Sequence, residues 1–185
     1  LLLHFFPSKA LEETVQSGGG VQSVFAWDWA DWGLLAGVDL DRSSMSLTET
    51  QSIPTIGTFP QGVHYDYEVA AFTRAAYAQA TWRPNADWSL RFGARGEQID
   101  YEYDDHAPVG GFGRFLRAPD REDDFSVLTA RLNVVHRFDG GAVAYANYTT
   151  GARPPQATDL YSLQITQTPG EQEVEEIASA EAGVR

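Results

Sequence analysis

Cysteine is absent from the 185 residues, which excludes disulfide frameworks, thiol nucleophiles and cysteine-based zinc sites. Lysine occurs once, at Lys9, and 13 Lys+Arg stand against 26 Asp+Glu, a formal net charge of −13. A pI near 4.5 argues against nucleic acid as a partner, because phosphate binding runs on Lys and Arg. Long apolar runs are missing too. Leu1-Leu2-Leu3 and Val69 to Phe72 fall far short of the ~18–20 residues of a spanning helix, so helical membrane proteins are excluded. Spanning β-barrels are not, since their strands alternate and escape a hydropathy window. The sequence has no initiator methionine, no basic leader and no small-residue cleavage site, and it stops at Arg185 inside a patterned segment. Both ends look cut, so the expectation is a piece of a longer protein without a signal peptide. What remains is 43% hydrophobic and 12% aromatic, enough for a core or an apolar wall rather than a disordered chain.

The dominant period is two. Trp88, Leu90, Phe92 and Ala94 alternate with Ser89, Arg91, Gly93 and Arg95, which places one apolar and one polar face on a single strand. Leu128, Ala130, Leu132, Val134 and Phe138 oppose Thr129, Arg131, Asn133 and Arg137 in the same way. So do Leu34, Ala36, Val38 and Leu40 against Gly37, Asp39 and Asp41, and Phe25, Trp27 and Trp29 against Gln22 and Asp28. From Val69 to Trp82, Phe72, Ala76, Ala78, Ala80 and Trp82 face away from Thr73, Tyr77, Gln79 and Thr81.

Short turn signals join these strands in pairs: Ala30-Asp31-Trp32-Gly33, Pro84-Asn85-Ala86-Asp87 and Asp139-Gly140-Gly141. Between the pairs lie long polar stretches, Met45 to Asp66, Asp104 to Asp123 and Gly151 to Glu175. Loops beyond ~15 residues are uncommon inside compact domains, and here short and long connections alternate strictly. An up-and-down antiparallel sheet with tight turns at one end and long loops at the other produces that asymmetry, as outer-membrane barrels do. Two segments stay ambiguous on local propensity. Glu171 to Ala182 is rich in strong helix formers yet also alternates, and Ser8 to Gln16 fits a short helix or a loop.

The polar face carries Arg, Gln, Asn, Ser, Thr and Gly where a soluble sandwich would carry Lys and Glu. Aromatics gather beside the turns (Trp27, Trp29, Trp32, Trp82, Trp88, Phe138), and Tyr65, Tyr67, Tyr101 and Tyr103 mark the opposite ends. Two such bands are expected at the two interfaces of a bilayer. Gly37 precedes Asp39 by two residues, Gly93 precedes Arg95, and Gly183 precedes Arg185. Glycine within a strand often marks the close approach of another group, so these pairs suggest something packed against the inner wall.

Tyr77 to Asp105 (YAQATWRPNADWSLRFGARGEQIDYEYDD) resembles the mid-barrel hairpin of TonB-dependent outer-membrane receptors. Ala144 to Tyr161 (AYANYTTGARPPQATDLY) is similar to that family's strand rising to a Gly-x-Arg-x-Pro loop, here Gly151, Arg153 and Pro155. Ser179 to Arg185 (SAEAGVR) is similar to its strand bearing Glu-x-Gly-x-Arg, matched by Glu181, Gly183 and Arg185. The resemblance covers the C-terminal part of the chain in the family's order, and it favours a strand over Glu171 to Ala182. It implies a bacterial outer-membrane receptor with a 22-stranded barrel and an N-terminal plug, importing ferric siderophores, cobalamin or other scarce nutrients with energy passed through TonB. The sequence shows no plug, no TonB box and no terminal aromatic strand, so residues 1–185 are expected to be about eight strands of the barrel wall.

Nothing is arranged for catalysis. His4, His64, His106 and His136 are scattered without ligand spacing and are expected in loops or at interfaces. No enzyme activity, cofactor or metal is expected. The acidic runs Asp100 to Asp105 and Asp120 to Asp124 can gather Ca²⁺ or be solvated loops; neither has EF-hand spacing. Arg114, Arg117 and Arg121 lie among Phe112, Phe115 and glycines, a set suited to an anionic ferric siderophore or a lipopolysaccharide phosphate; Arg153 joins these loop candidates. Arg91, Gly93, Arg95, Arg131, Arg137, Glu181 and Gly183 are predicted to face the lumen, the charged ones pairing with a plug. The expected partners are outer-membrane lipid and lipopolysaccharide, TonB through the plug, and an iron complex. The alternatives are a soluble β-sandwich binding ligand or carbohydrate through its loops, and a complete eight-stranded barrel.

Overall fold

Seven antiparallel strands, each hydrogen-bonded to the next in sequence, make one sheet in the computed structural model, which describes residues 9–185. They are β1 (Ala10–Asp28), β2 (Trp32–Gln51), β3 (Gly62–Trp82), β4 (Trp88–Asp105), β7 (Arg121–Arg137), β8 (Val143–Arg153) and β10 (Glu175–Val184). Between β4 and β7 lie β5 (Gly110–Phe112) and β6 (Phe115–Arg117); between β8 and β10 lie α1 (Ala157–Tyr161) and β9 (Leu163–Gln164). The elements β5, β6 and β9 form a second, three-stranded sheet. The tight turns all fall at one end, and Asn85 shows why they form: its side-chain oxygen accepts from the backbone N–H groups of Asp87 (3.0 Å) and Trp88 (3.1 Å), an Asx turn.

The register turns the period-two pattern into rows. Trp32, Trp82, Leu90, Val134, Ala146 and Ala182 lie directly across from one another on successive strands. The adjacent row is Asp28, Gly33, Thr81, Arg91, Asn133, Asn147 and Glu181. One face is wholly apolar at this level and the other polar, as expected from sequence. The apolar face is uncovered: Phe92 is 48% exposed, Leu132 45% and Leu128 73%.

That apolar band is shorter than the strands. On β4 it runs from Trp88 to Gly96, close to the ~9–11 residues a tilted strand needs to cross a bilayer, and the same outward parity then carries Gln98, Asp100, Glu102 and Asp104. Its foot also slopes. Trp32 shares a row with Val134, yet the lowest aromatic of the β7 hairpin is Phe138, four residues farther along after three strands. With ~3.3 Å per residue and ~4.8 Å between strands, that slope corresponds to strands tilted by about 40°, the range of outer-membrane barrels.

Above the band the polarity inverts. Leu47, Tyr67, Val69 and Tyr103, all on the inward parity, are buried, with Tyr65 beside them. The four tyrosines expected to form a second band at a bilayer interface do not form it: Tyr65, Tyr67 and Tyr103 point inward into a protein core, with Tyr101 packed against it, because they share the parity of Arg91 and Arg95.

Several other expectations change. Met45 to Gln51 and Gly62 to Asp66 belong to strands, shortening the first long connection to residues 52–61. The acidic runs Asp100 to Asp105 and Arg121 to Asp124 are strand ends rather than loops. Glu171 to Ala182 forms no helix; its C-terminal part is β10, held by pairing to β8 from Glu175↔Arg153 onward, a tertiary contact that overrides propensity. Ala10 to Gln16 is strand, paired to β2. Among the described residues the sheet has seven strands, against the about eight expected, and β1 and β10 are its edges and do not pair with each other, so these strands do not close into an eight-stranded barrel. No second sheet covers the apolar band among the described residues, which is not the arrangement of a sandwich. His4, Leu1 to Leu3 and Ser8 lie outside the described residues.

Candidate functional site

Two regions of the inner face carry the candidate residues. The lower one is the polar wall behind the apolar band. There Arg95 pairs with Asp39 on β2 and with Glu97 (2.6 Å), its guanidinium lying 5.6 Å from the Tyr77 ring. Gln22 donates to Asp39 (3.0 Å), and Tyr145 donates to Glu181 (2.9 Å). Asn133 and Asn147 bond across β7 and β8. A shallow cavity of about 310 Å³ opens here, lined among others by Tyr77, Gln79, Gly93, Arg95, Thr129 and Arg131.

The glycines of this wall have a local cause. A Cβ on Gly37 would come within 2.4 Å of the Tyr77 ring, and one on Gly183 within 2.7 Å of the Tyr145 hydroxyl. Each glycine lets a tyrosine of the neighbouring strand lie flat against the wall. Gly93 has tight neighbours too, at 3.1 Å from the Ala78 carbonyl. The close approach expected from sequence is thus made by the wall itself. Arg91, Arg131 and Arg137 project from the same parity, and their side chains have no hydrogen bond or ion pair among the described residues.

The upper region is a cap built by the loops. Gly113 (φ 64°) turns β5 into β6, and a Cβ there would lie 2.5 Å from the Thr58 carbonyl, so both backbone and space require glycine. The Asp159 carboxylate accepts from the Gln156 N–H (3.1 Å) at the start of α1. The cap is fastened to the wall by tyrosines. Tyr65 donates to the Leu163 carbonyl, Tyr67 bonds Ser162 Oγ (2.8 Å), Tyr101 donates to the Pro155 carbonyl (3.2 Å), and Tyr161 donates to Asp123 (2.9 Å). Tyr103 stacks on Tyr161 with ring centroids 4.2 Å apart. Burial pushes the Tyr67 phenol up to about 12, and those of Tyr65, Tyr101, Tyr103 and Tyr161 upward as well, so these phenols keep their protons and stay donors at ordinary pH. Burial likewise raises the Asp105 carboxyl.

The cap brings together four of the six loop candidates and gives them different tasks. Phe115 is buried in its core. Arg117, 8% exposed, donates to the carbonyls of Val63, His64 (3.1 Å) and Pro108 (3.4 Å) and sits 4.4 Å from the Phe112 ring; its fork is spent on backbone. Arg114 lies 4.7 Å above the Phe59 ring and donates to Gln164 (2.7 Å), leaving part of its guanidinium outward. Arg121 pairs with Asp123 at the junction of cap and wall. Arg153 stands apart, bonded to Glu175 (3.1 Å) across β8 and β10; that partner holds the Glu175 carboxyl below its usual range.

Sequence reasoning missed His64, Phe59 and the tyrosine core. His64 is fully buried in β3 rather than placed in a loop. For the tyrosine core the signal in the sequence is parity, since Tyr101 and Tyr103 continue the inward series of Arg91 and Arg95. The outward carboxylates oppose one another in pairs, Asp100↔Asp124 and Glu102↔Glu122, and no group of three or more metal-ligating side chains forms among the described residues.

A family model described as "TonB dependent receptor-like, beta-barrel" matches residues 6–185. No curated protein matches the sequence. Among solved structures, "Copper transporter OprC" superposes with a TM-score of 0.71 at 14% identity, covering 97% of this chain and 29% of that one. At that identity the likeness is one of fold.

Proposed function

The chain belongs to the TonB-dependent receptor β-barrel family of the bacterial outer membrane, and from that premise we propose that it is part of the wall of a receptor that imports a scarce nutrient, an anionic iron complex such as a ferric siderophore. In this reading residues 1–185 are one stretch of barrel domain, and TonB acts through a plug. The carrying observation is the pair of adjacent rows at the foot of the sheet, Trp32 to Ala182 apolar and Asp28 to Glu181 polar. An uncovered apolar band of bilayer height backed by a polar interior suits a barrel wall in lipid and no water-facing surface.

The division of labour follows from what each arginine already holds. Arg91, Arg131 and Arg137, without partners in the wall, are free to pair with acidic groups of a plug, whereas Arg95 is held by Asp39 and Glu97. In the cap, Arg114 over Phe59 offers a cation beside an aromatic face, which fits an anionic ligand with planar groups. Arg117, Phe112, Phe115 and Arg121 support that surface from behind. The structural neighbour's printed name concerns copper, which makes copper the competing cargo.

The test is uptake of labelled iron, as a ferric siderophore, by cells whose only receptor of this type is the full-length protein. Uptake that depends on TonB and falls about tenfold in Arg114→Ala, a loss of ~1.4 kcal/mol of binding, supports the reading. Receptor-dependent copper uptake with no iron uptake overturns the cargo; receptor-dependent uptake that persists without TonB overturns the mechanism.

A further inference from the structure

The connection from β2 to β3, residues 52–61, folds around one side chain. Gln51, the last residue of β2, is fully buried and lies opposite Gly62. Its amide nitrogen is within hydrogen-bond distance of three carbonyls of the loop that follows it, those of Ile53 (3.4 Å), Pro54 (3.2 Å) and Phe59 (3.1 Å). The amide has two N–H donors, so the longest contact, to Ile53, is the weakest. Around that centre Ile56 and Phe59 exchange backbone hydrogen bonds (3.0 and 3.1 Å). The Gln61 N–H donates to Thr55 Oγ1 (3.1 Å) and its side chain to the Ser52 carbonyl (2.9 Å). Without the Gln51 amide, the Pro54 and Phe59 carbonyls lose a donor on their buried side.

The loop held in this way carries half of the candidate ligand surface. Phe59 offers its carbonyl to Gln51 and its ring to Arg114, whose guanidinium lies 4.7 Å from the ring centroid. The preceding residue, Thr58, accepts from the Arg114 backbone N–H (3.0 Å). Arg114 is fixed from the other side as well, since its carbonyl accepts from the Ile165 N–H (2.8 Å) and its guanidinium donates to Gln164 (2.7 Å). The Phe59 ring meets Phe115 edge-on, with centroids 6.0 Å apart. Three connections, 52–61, 106–120 and 154–174, thus meet at Arg114, and Gln51 acts on it through Thr58 and Phe59.

We infer that Gln51 is the positioning residue of this surface: it sets loop 52–61 so that Phe59 and Arg114 stand stacked before a ligand arrives. The inference rests on the reading of Arg114 over Phe59 as the ligand surface. A surface arranged in advance removes the entropy cost of ordering a loop from the binding step, so loss of the amide weakens binding without slowing the later steps of transport.

The test is Gln51→Met in the full-length receptor, which keeps the length of the side chain, adds no charge and removes both donors. Two quantities are read: the concentration dependence of uptake of a labelled ferric tris-catecholate, and hydrogen exchange of the Phe59 and Arg114 amides in the ligand-free receptor. The half-saturating concentration is expected to rise about tenfold at unchanged maximum rate and receptor abundance, and both amides to exchange at least about tenfold faster. A fall in maximum rate or abundance alone, or exchange as slow as in the wild type, would overturn the role of Gln51. Where the wild type takes up none of this complex, the ligand reading fails and the exchange comparison decides on Gln51 by itself. Where Gln51→Met does not assemble, the ligand-free wild type decides: protected Phe59 and Arg114 amides uphold a surface arranged in advance, and amides that exchange as in an unstructured loop overturn it.

Discussion

Gly37 on β2 lies directly opposite Tyr77 on β3, and a Cβ placed on the glycine would come within 2.4 Å of the tyrosine ring. The ring in turn lies beside Arg95, which ties Asp39 and Glu97 together. Gly37→Val is therefore expected to destabilise the wall by roughly 1–3 kcal/mol through overpacking. Adding Tyr77→Ala should recover only part of the loss, because it removes the ring but leaves the Ser23 carbonyl oxygen 2.7 Å from the added Cβ. Denaturant unfolding of the full-length receptor in detergent checks this; additive losses in the double variant would show that the ring is not the obstacle.

Charge on the lipid face should be far more costly than charge on the inner face one residue away. Leu90→Arg or Leu132→Arg is expected to cost roughly 2–4 kcal/mol near mid-bilayer and to block assembly, while Ser89→Arg is tolerated. Heat-resistant mobility of the folded barrel on a gel is the readout. Equal assembly of the variants would contradict the assignment of faces.

The phenols fasten the cap, and each should contribute modestly. Tyr67→Phe removes one hydrogen bond to Ser162 and is expected to cost about 1 kcal/mol. Tyr103→Ala removes a ring stacked on Tyr161 and is expected to cost roughly 3–5 kcal/mol. Hydrogen exchange of residues 157–164 separates the two, with the larger loss of protection in Tyr103→Ala.

At alkaline pH the same tyrosines set a limit. Tyr67 is raised from the ordinary 10.0 to about 12, so its protonated form is favoured in the folded state. The stability this contributes is complete below a pH of about 10 and is lost as pH rises from there through about 12. A phenolate absorbance titration should show a late-titrating group that moves to ordinary values when the cap is unfolded.

Much of this architecture is legible in the sequence because a strand repeats every two residues. Trp88, Leu90 and Phe92 against Ser89, Arg91 and Gly93 fix a face before any coordinates do, and the turns at Asn85 and Gly140-Gly141 fix one end of the sheet. The cap is a different matter. Its core joins Tyr65 and Tyr67 on β3 with Tyr103 on β4, Phe115 on β6 and Leu160 and Tyr161 on α1, and no local periodicity connects segments so far apart. The two-residue strand β9 and the five-residue helix α1 are too short to leave a pattern. His64 is hidden for a further reason: a β-bulge interrupts the alternation from which a strand's faces are read. Arg117 and Arg114, three residues apart, look alike in sequence; only burial shows that one clamps backbone carbonyls while the other rests on Phe59.

The most direct test of the account is the surroundings of four neighbouring positions in the full-length receptor reconstituted in lipid vesicles. Spin labels at Leu90→Cys and Leu132→Cys should collide readily with oxygen dissolved in the bilayer and poorly with a water-soluble reagent. Labels at Arg91→Cys and Arg131→Cys should show low access to bilayer oxygen. Water-accessible labels at 90 and 132, with those at 91 and 131 immersed in hydrocarbon, would contradict it.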